Sequence, residues 1–518
     1  MSDPGLQLTV NGRPVVVDNP SATLLDVLRE QLGLRSVKDG CSPQGQCGCC
    51  TVLVDGQPRV SCVTPVRRVG GRSVTTVEGL DEQVRASWGD AFASTGGSQC
   101  GFCTPGIICR FEGLRAKGVA PEDQDRARDA LLAHLCRCTG WQPVVEAWSG
   151  FGRSVPVNVT AGSVARATLE GRTDQSVGPA VALGNGGFAD DSAPADALVA
   201  VPMASGDGWA VAETRADALA AAGKVQGRRT TAGFGPPIAL PDGVFDVVLQ
   251  TGWVEPGYLE TDASWCEPGG TPAPVLANGG AFGAKLSSDL GAVARRLADQ
   301  HGRPVRVLLA REDAVRLGPK RPPIAAGINA DGGGVLRVAR TPGIAAAIAA
   351  VAPGLTIEEV DVAGPATSAA IRGAGWLEAT VLLAAAQGEL GWVTAPDGGS
   401  ATAKIGADGR VEVWVRAGEV LDPVVLRSYC IGAAHMGLGL VTSESLTVAP
   451  DGEIHDLTIR SFGILRAVDT PPITVHIDEE DRPAVNASDA VMAAVAAAVW
   501  LHAGLPPVWP TGSRAGSR

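Results

Sequence analysis

The sequence predicts an α+β multidomain fold: a small β-rich domain, a helical domain, and a longer α/β region. Three observations predict it. The chain has 518 residues, enough for several domains. Hairpin signals crowd into the first sixty residues. Apolar residues at helical spacing follow them, and then short strand-like runs alternate with Ala-rich stretches. Hydrophobic residues at 45% and charged residues at 19% allow a packed core and exclude global disorder. The 67 Gly and 36 Pro predict many turns and loops. The formal net charge is −12 and no long basic run occurs, so nucleic-acid and anionic-membrane binding are not expected.

The β-rich domain comes first. Leu8-Thr9-Val10, Asn11-Gly12 and Val15-Val16-Val17 form a hairpin signal with a type I′ turn. Ser21 is the expected cap of a helix carrying Leu24, Leu25, Val27, Leu28 and Leu32, and Gly33 can end it. A second hairpin is expected from Thr51–Val54 through Asp55-Gly56 to Val60. In the helical domain, Ile107, Ile108, Phe111 and Leu114 share a face, and Gly118 stops the run. Pro121 suits the start of a second helix carrying Leu131, Leu132 and Leu135. Later helices are expected at Leu290–Gln300 and Ala490–Leu501, and a hairpin at Thr402–Trp414. The longest clean apolar run, Ala490 to Leu501, is 12 residues, too short to span a bilayer. The first residues resemble no secretory leader, so the expected location is cytoplasmic.

The cysteines carry the chemistry. Ten of the twelve lie in the first 138 residues. Without a leader, such clustering points to metal ligands rather than disulfides. A [2Fe–2S] cluster takes four thiolates, three of them from one tight loop. Cys41, Cys47 and Cys50 lie in a Gly-rich loop, and Cys62 follows the Asp55-Gly56 turn that folds it back. The spacing is C-x5-C rather than the plant-type C-x4-C, a one-residue bulge beside Pro43. Cys49 is the spare. Reduced thiols or a zinc site are the alternatives. A second set comprises Cys100 and Cys103, then, after 32 intervening residues, Cys136 and Cys138. An antiparallel helix pair would bring these four together. C-x-C is an unusual half-site for zinc. Cys109 falls on the apolar helix face, and Cys266 and Cys430 stand alone; all three are expected in the core.

At this point a family resemblance is specific. Gln99-Cys100-Gly101-Phe102-Cys103-Thr104-Pro105-Gly106 and Cys136-Arg137-Cys138-Thr139-Gly140 resemble the signatures of the xanthine dehydrogenase/aldehyde oxidoreductase family of molybdenum hydroxylases. The resemblance implies a β-grasp, plant-ferredoxin-like [2Fe–2S] domain over 1–80 and a helical [2Fe–2S] domain over 81–155. It implies that the helical cluster is nearest the molybdopterin, with Gln99 against the pterin. After a linker over 156–185, residues 186–390 and 391–518 resemble two shortened parts of that family's molybdopterin-binding subunit. The markers are Gly187–Asp191, Trp209–Thr214, Tyr258-Leu259-Glu260, the loop Gly279-Gly280-Ala281-Phe282-Gly283-Ala284-Lys285, Arg303–Arg306, Lys320–Pro323, Ile371–Gly375 with Arg372, Gly418–Pro423 and Met436–Gly439. Gly280, Phe282, Gly283 and Arg372 are the implied cofactor contacts.

The departures are equally informative. The region is much shorter than in the family. Its long Gln-Gly-rich cofactor segment is not found between Trp392 and Gly418, and no G-x-G-E element occurs. Glu480 is the nearest acidic candidate for the family's general base, and it reads better as a solvated turn, so the catalytic residue is unassigned. Two functions from different classes are therefore expected. One is an oxidoreductase that relays electrons from a molybdopterin centre, which hydroxylates a heterocycle or oxidises an aldehyde, through two [2Fe–2S] clusters to an external acceptor. The other is a non-catalytic electron-transfer scaffold docked on a full-length molybdenum subunit. No flavin domain is matched, so an FAD site is expected on a separate flavin subunit or other acceptor, within an oligomer.

Overall fold

The computed structural model describes residues 5–153, 156–223, 230, 232–276 and 280–512. Gly279 of the Gly-rich loop, the domain-boundary residues 154 and 155, and the first four residues lie outside these. The first domain is a five-stranded sheet in the order Arg13–Val16, Gln7–Val10, Ser73–Thr75, Thr51–Val54, Gln57–Val60. Both expected hairpins form. Asn11 and Gly12 have φ of 50° and 77°, Asp55 and Gly56 of 47° and 75°, the paired positive values that a type I′ turn requires. The helix after the first hairpin is capped by Thr23, not by Ser21. The Thr23 Oγ1 accepts from the Asp26 N–H at 3.2 Å, and the Asp26 carboxylate accepts from the Thr23 N–H at 3.2 Å. That reciprocal box satisfies two otherwise orphaned donors, which Ser21 is too far upstream to reach. Leu24, Leu25, Val27 and Leu28 are buried beneath it.

The second domain holds the helices Glu82–Thr95, Thr104–Arg115, Gln124–Ala130 and Gln142–Gly150. Trp88, Phe111 and Trp148 pack at its centre, with ring centroids 5.7 Å and 5.3 Å apart along the chain of contacts. Pro121 does not begin a helix. Asp123 caps Gln124–Ala130 by accepting from the Arg126 N–H at 3.0 Å. Leu131–Ala133 is a single 3-10 turn with Leu132 exposed, so the chain leaves the helix before Leu135.

The expected linker over 156–185 contains a helix, Ala161–Gly171. Its inward face is polar, which is why hydrophobic periodicity missed it. Arg166 and Glu170 are both fully buried and paired at 3.1 Å, and Arg166 Nε donates to the Val420 carbonyl at 3.1 Å. The segment is thus part of the packed body.

Three sheets build the remainder. One runs Trp209–Ala212, Leu198–Pro202, Val305–Leu308, Ala263–Cys266 and is covered by the helix Leu290–His301, as the periodicity predicts. The next runs Leu355–Val360, Gly334–Ala339, Ile324–Ile328, Val247–Thr251, Val508–Trp509. The last runs Val393–Thr394, Ser400–Ile405, Val411–Arg416, Ile473–Asp478, and its middle strands are the expected hairpin. Two helices, Pro423–Thr442 and Ser488–His502, lie against each other in the main core. The second matches the expected apolar run. The first is long and apolar enough to cross a membrane, yet most of it is buried inside the protein. Apolarity on all sides is what a central core helix requires.

Candidate metal centres

The two cysteine sets assemble as two separate nests of buried thiols. Cys41, Cys47, Cys50 and Cys62 are each about 1% exposed. Hydrogen bonds from Cys47 and Cys62 hold the Cys41 thiol well below its ordinary range. The bond to Cys41, then that to Cys50, pushes Cys62 far up. All four sulfurs therefore converge. The spare, Cys49, lies at the edge of that group: its thiol is 3.8 Å from the Cys47 carbonyl oxygen and within hydrogen-bonding reach of the Cys47 thiol. Cys109 is buried in the helix Thr104–Arg115, and Cys266 and Cys430 are buried elsewhere.

In the second nest the sulfurs pair across the helical domain. Cys138 Sγ and Cys100 Sγ are 3.5 Å apart. A hydrogen bond from Cys103 brings the Cys136 thiol down to about 6, with Cys103 raised in return. Among the described residues no three His, Cys, Asp or Glu side chains converge on a single ion. The second nest's thiols, grouped two and two, fit a two-iron cluster better than mononuclear zinc. Each nest thus gathers the number of thiols that a [2Fe–2S] cluster takes: Cys41, Cys47, Cys50 and Cys62 in one, and Cys100, Cys103, Cys136 and Cys138 in the other.

The two nests touch through backbone. The Leu135 N–H donates to the Cys47 carbonyl at 3.0 Å, joining a holder of one cluster to the neighbour of a holder of the other. Close approach demands glycine here. A Cβ on Gly48, at φ +74°, would lie 2.5 Å from His134 Nδ1. Burial, and next Arg110 and Arg460, keep that imidazole neutral by lowering its pKa well below the ordinary value.

The C-terminal region clamps the inner nest. Arg137, between Cys136 and Cys138, donates bidentately to Glu444 at 2.5 and 2.7 Å, and its Nε donates to the Pro256 carbonyl at 2.8 Å. Gln99 Nε2 donates to the Cys138 carbonyl and to Ser428 Oγ, each at 3.0 Å. A Cβ on Gly432, in the helix Pro423–Thr442, would overlap the Cys138 carbonyl oxygen. A Cβ on Gly280 would lie 3.4 Å from both Cys100 Sγ and Cys138 Sγ, so the Gly-rich loop does cover this nest. The outer nest is held in parallel. Arg311 donates to the Gly40 carbonyl at 2.7 Å, and Gln44 Nε2 donates to Glu312 at 2.8 Å.

Of the residues that resemble molybdopterin contacts, Gln99 and Gly280 lie against the inner nest, while Arg372 and Phe282 are engaged with each other. Arg372 stacks on Phe282, 3.9 Å from the ring centroid, and pairs with buried Asp489 at 3.2 Å. Its Nη1 lies 3.4 Å from Met436 Sδ. Gly283 lies so close to Ala370 that a Cβ would overlap the carbonyl oxygen. Glu260 and Lys285 form a buried ion pair, and burial lifts the Glu260 carboxyl to about 7. The cavity bordered by Phe282, Arg372, Met436 and Met492 measures about 20 Å³, and that between Arg172 and Phe282 about 10 Å³. Each has room for a water, whereas cofactor sites need hundreds of Å³. As packed, Phe282 and Arg372 leave no cofactor-sized opening between them, while the buried Gln99 Oε1 has no hydrogen-bond partner among the described residues. Glu480 is remote from them in role: it accepts from the Gly418 N–H at 3.1 Å and from Arg482, whose guanidinium lowers its pKa.

The sequence reading missed Arg137, Glu444, Leu135, His134 and Arg311. Arg137 carried a signal, since it lies between two ligands. Glu444 and Arg311 carried none, because their partners are hundreds of residues away.

Comparison with known proteins agrees with this geometry. Residues 8–67 match a 2Fe-2S iron-sulfur cluster binding domain, and residues 76–149 match a [2Fe-2S] binding domain. The nicotinate dehydrogenase small FeS subunit of Eubacterium barkeri is 39% identical over 138 residues, 26% of this chain and 87% of that one. The xanthine dehydrogenase iron-sulfur-binding subunit of Escherichia coli O157:H7 is 41% identical, over 27% of this chain and 89% of that one. The aldehyde oxidoreductase of Megalodesulfovibrio gigas is 44% identical over 27% of this chain, which spans only 16% of that protein. A solved aldehyde oxidoreductase from Desulfovibrio gigas shares the fold over 98% of this chain and 99% of its own, with a TM-score of 0.70 at 16% identity.

Proposed function

We propose a function on the premise that this chain belongs to the xanthine dehydrogenase/aldehyde oxidoreductase family, as an iron–sulfur oxidoreductase with two [2Fe–2S]-binding domains. Its role is to relay electrons from a molybdopterin centre, which hydroxylates a heterocycle or oxidises an aldehyde, to an external acceptor such as a flavin subunit. The observation that carries this reading is the pair of four-thiol nests joined by the Leu135–Cys47 hydrogen bond. When bound, each cluster supplies a one-electron site. The protein's part is to hold the sulfurs, exclude water and fix the distance between the nests. Arg137 and Glu444 fix the inner loop, and Arg311 and Gln44 fix the outer one. A reducing cytoplasmic location suits twelve cysteines of which none is in a disulfide.

A second reading concerns where the molybdenum resides. The packing around Phe282 and Arg372 favours a separate molybdenum subunit on which this chain docks. Relatives named as small or iron-sulfur-binding subunits support the same arrangement. Iron analysis and low-temperature EPR of the reduced protein test the relay: four irons per chain and two distinct [2Fe–2S] signals are expected, and a single signal would sink it. Molybdenum and pterin analysis tests the second reading. About one molybdenum per chain, retained on purification, would overturn it and leave the relay standing.

A further inference from the structure

We propose that the surface beside the outer cysteine nest is a docking face for an acidic electron-acceptor protein, an inference that rests on the relay reading above. The sequence after the third ligand of that nest is unusual for a chain of net charge −12. Residues 56–77 contain Arg59, Arg67, Arg68 and Arg72 and not one Asp or Glu. Arg72 is engaged with Asp55 at 2.7 Å. Arg67 and Arg68 are not engaged. They lie in a 3-10 turn, Val66–Val69, whose two valines are buried, so both guanidinium groups are turned outward and exposed. No ion pair or hydrogen bond holds the side chains of Arg59, Arg67 or Arg68 among the described residues.

These arginines flank, in sequence, an exposed apolar residue that lies on the cluster loop itself. Val63, the neighbour of the ligand Cys62, is 48% exposed, and its side chain would meet a Cβ on Gly45 at 3.0 Å. Val63 therefore covers the tip of the loop between Cys41 and Cys47. On the other side of the same loop, exposed Arg460 donates to the Gln46 carbonyl at 2.9 Å. An apolar centre flanked by unpaired guanidinium groups is the anatomy of a transient protein interface, and arginine is enriched at such sites.

Charge identifies the partner. An acidic protein meets general repulsion from a body of charge −12, but at about 0.1 M ionic strength the screening length is about 10 Å. Distant like charges then fade, while contacts to these arginines persist. Attraction to this face would orient the partner over the outer nest.

The test measures binding by the iron-loaded protein. An oxidised acidic plant-type ferredoxin and a basic cytochrome c serve as the two partners, with Kd measured between 0.1 and 0.5 M salt. The ferredoxin is expected to bind more tightly, weakening roughly tenfold over that range. The variant R67E/R68E should weaken it by a further tenfold or more, and R67K/R68K should restore most of it. Retained EPR signals control for folding; if charge reversal loses them, R67Q/R68Q and the wild-type salt series decide. Equal or tighter binding of cytochrome c would overturn the proposal. So would a charge-reversed variant that binds ferredoxin within twofold of wild type, or heparin binding that survives charge reversal. Absence of both cluster signals in the wild type would instead sink the relay reading, a separate result.

Discussion

Replacing Glu444 by Ala should loosen the inner cluster selectively. Arg137 and Glu444 are 3% and 2% exposed, and the two hydrogen bonds between them, 2.5 and 2.7 Å long, are the ion-pair contacts of a guanidinium held between two cluster ligands. After Glu444→Ala the charge stays buried with the Pro256 carbonyl as its remaining acceptor. Breaking a buried pair from one side costs about 3–5 kcal/mol, because the orphaned charge stays desolvated. At about 1.4 kcal/mol per tenfold, local opening of the Cys136–Cys138 loop should rise by roughly two to three and a half orders of magnitude. The assay is chelator-driven iron loss, followed by EPR so that each cluster reports separately. The inner signal should decay much faster than in wild type and the outer signal at an unchanged rate. The apolar double variant R137M/E444L should recover most of the loss, since it removes both charges together. Equal decay of the two signals in Glu444→Ala, or no change in the inner one, would refute the argument that this ion pair fixes the ligand loop.

Three further outcomes follow from particular contacts. Gly432→Ala should abolish the inner EPR signal, because its methyl overlaps the Cys138 carbonyl, whereas Gly291→Ala, whose nearest neighbour is Pro272 at 3.4 Å, should be neutral or slightly stabilising by thermal melt. Cys49→Ser and Cys109→Ser should retain both signals and four irons, and Cys62→Ser should lose the outer one. Burial, and then the charge of Arg137, lowers His435 to about 4 from its ordinary 6.5. The unfolded chain therefore takes up a proton in that interval that the folded one refuses, so stability is complete above about 6.5 and falls toward pH 4, by about 3 kcal/mol in all. His435→Gln, which can still donate to the Leu465 carbonyl, should lessen the fall in tryptophan-monitored melting temperature across that window.

What was legible in the sequence follows the range of the interactions involved. Hairpin turns are local, and Asn11-Gly12 and Asp55-Gly56 declared them through φ values that few other residues adopt. Cysteine spacing is also local, so the two sets of four thiols that the fold gathers could be grouped before any coordinates. Helix starts were less legible, because Thr23 and Asp123 compete with Ser21 and Pro121 through hydrogen bonds that composition does not reveal. The helix Ala161–Gly171 was invisible for a different reason: its buried face is an Arg166–Glu170 pair, so no apolar stripe marks it. Contacts such as Arg311 with Gly40, 271 residues apart, have no local signature at all.

The resemblance to a cofactor site shows why a motif is weaker than a donor set. The Phe282 loop and the Arg372 element both survive in the sequence, and the fold brings them together beside Cys100 and Cys138. Yet a guanidinium can serve only one set of acceptors at a time. Arg372 is buried against Phe282, Asp489 and Met436, and a cofactor would have to displace the ion pair with Asp489 and reopen a cavity of about 20 Å³. Displacing that pair would leave the Asp489 carboxylate, itself fully buried, with Arg172 as its remaining partner. The cost of that exposure opposes cofactor entry, whereas nothing comparable blocks iron from the two nests. In those nests the ligands are already grouped and have no competing ion pair. A group bound at Arg372 therefore requires a repacking that binding at the two thiol nests does not.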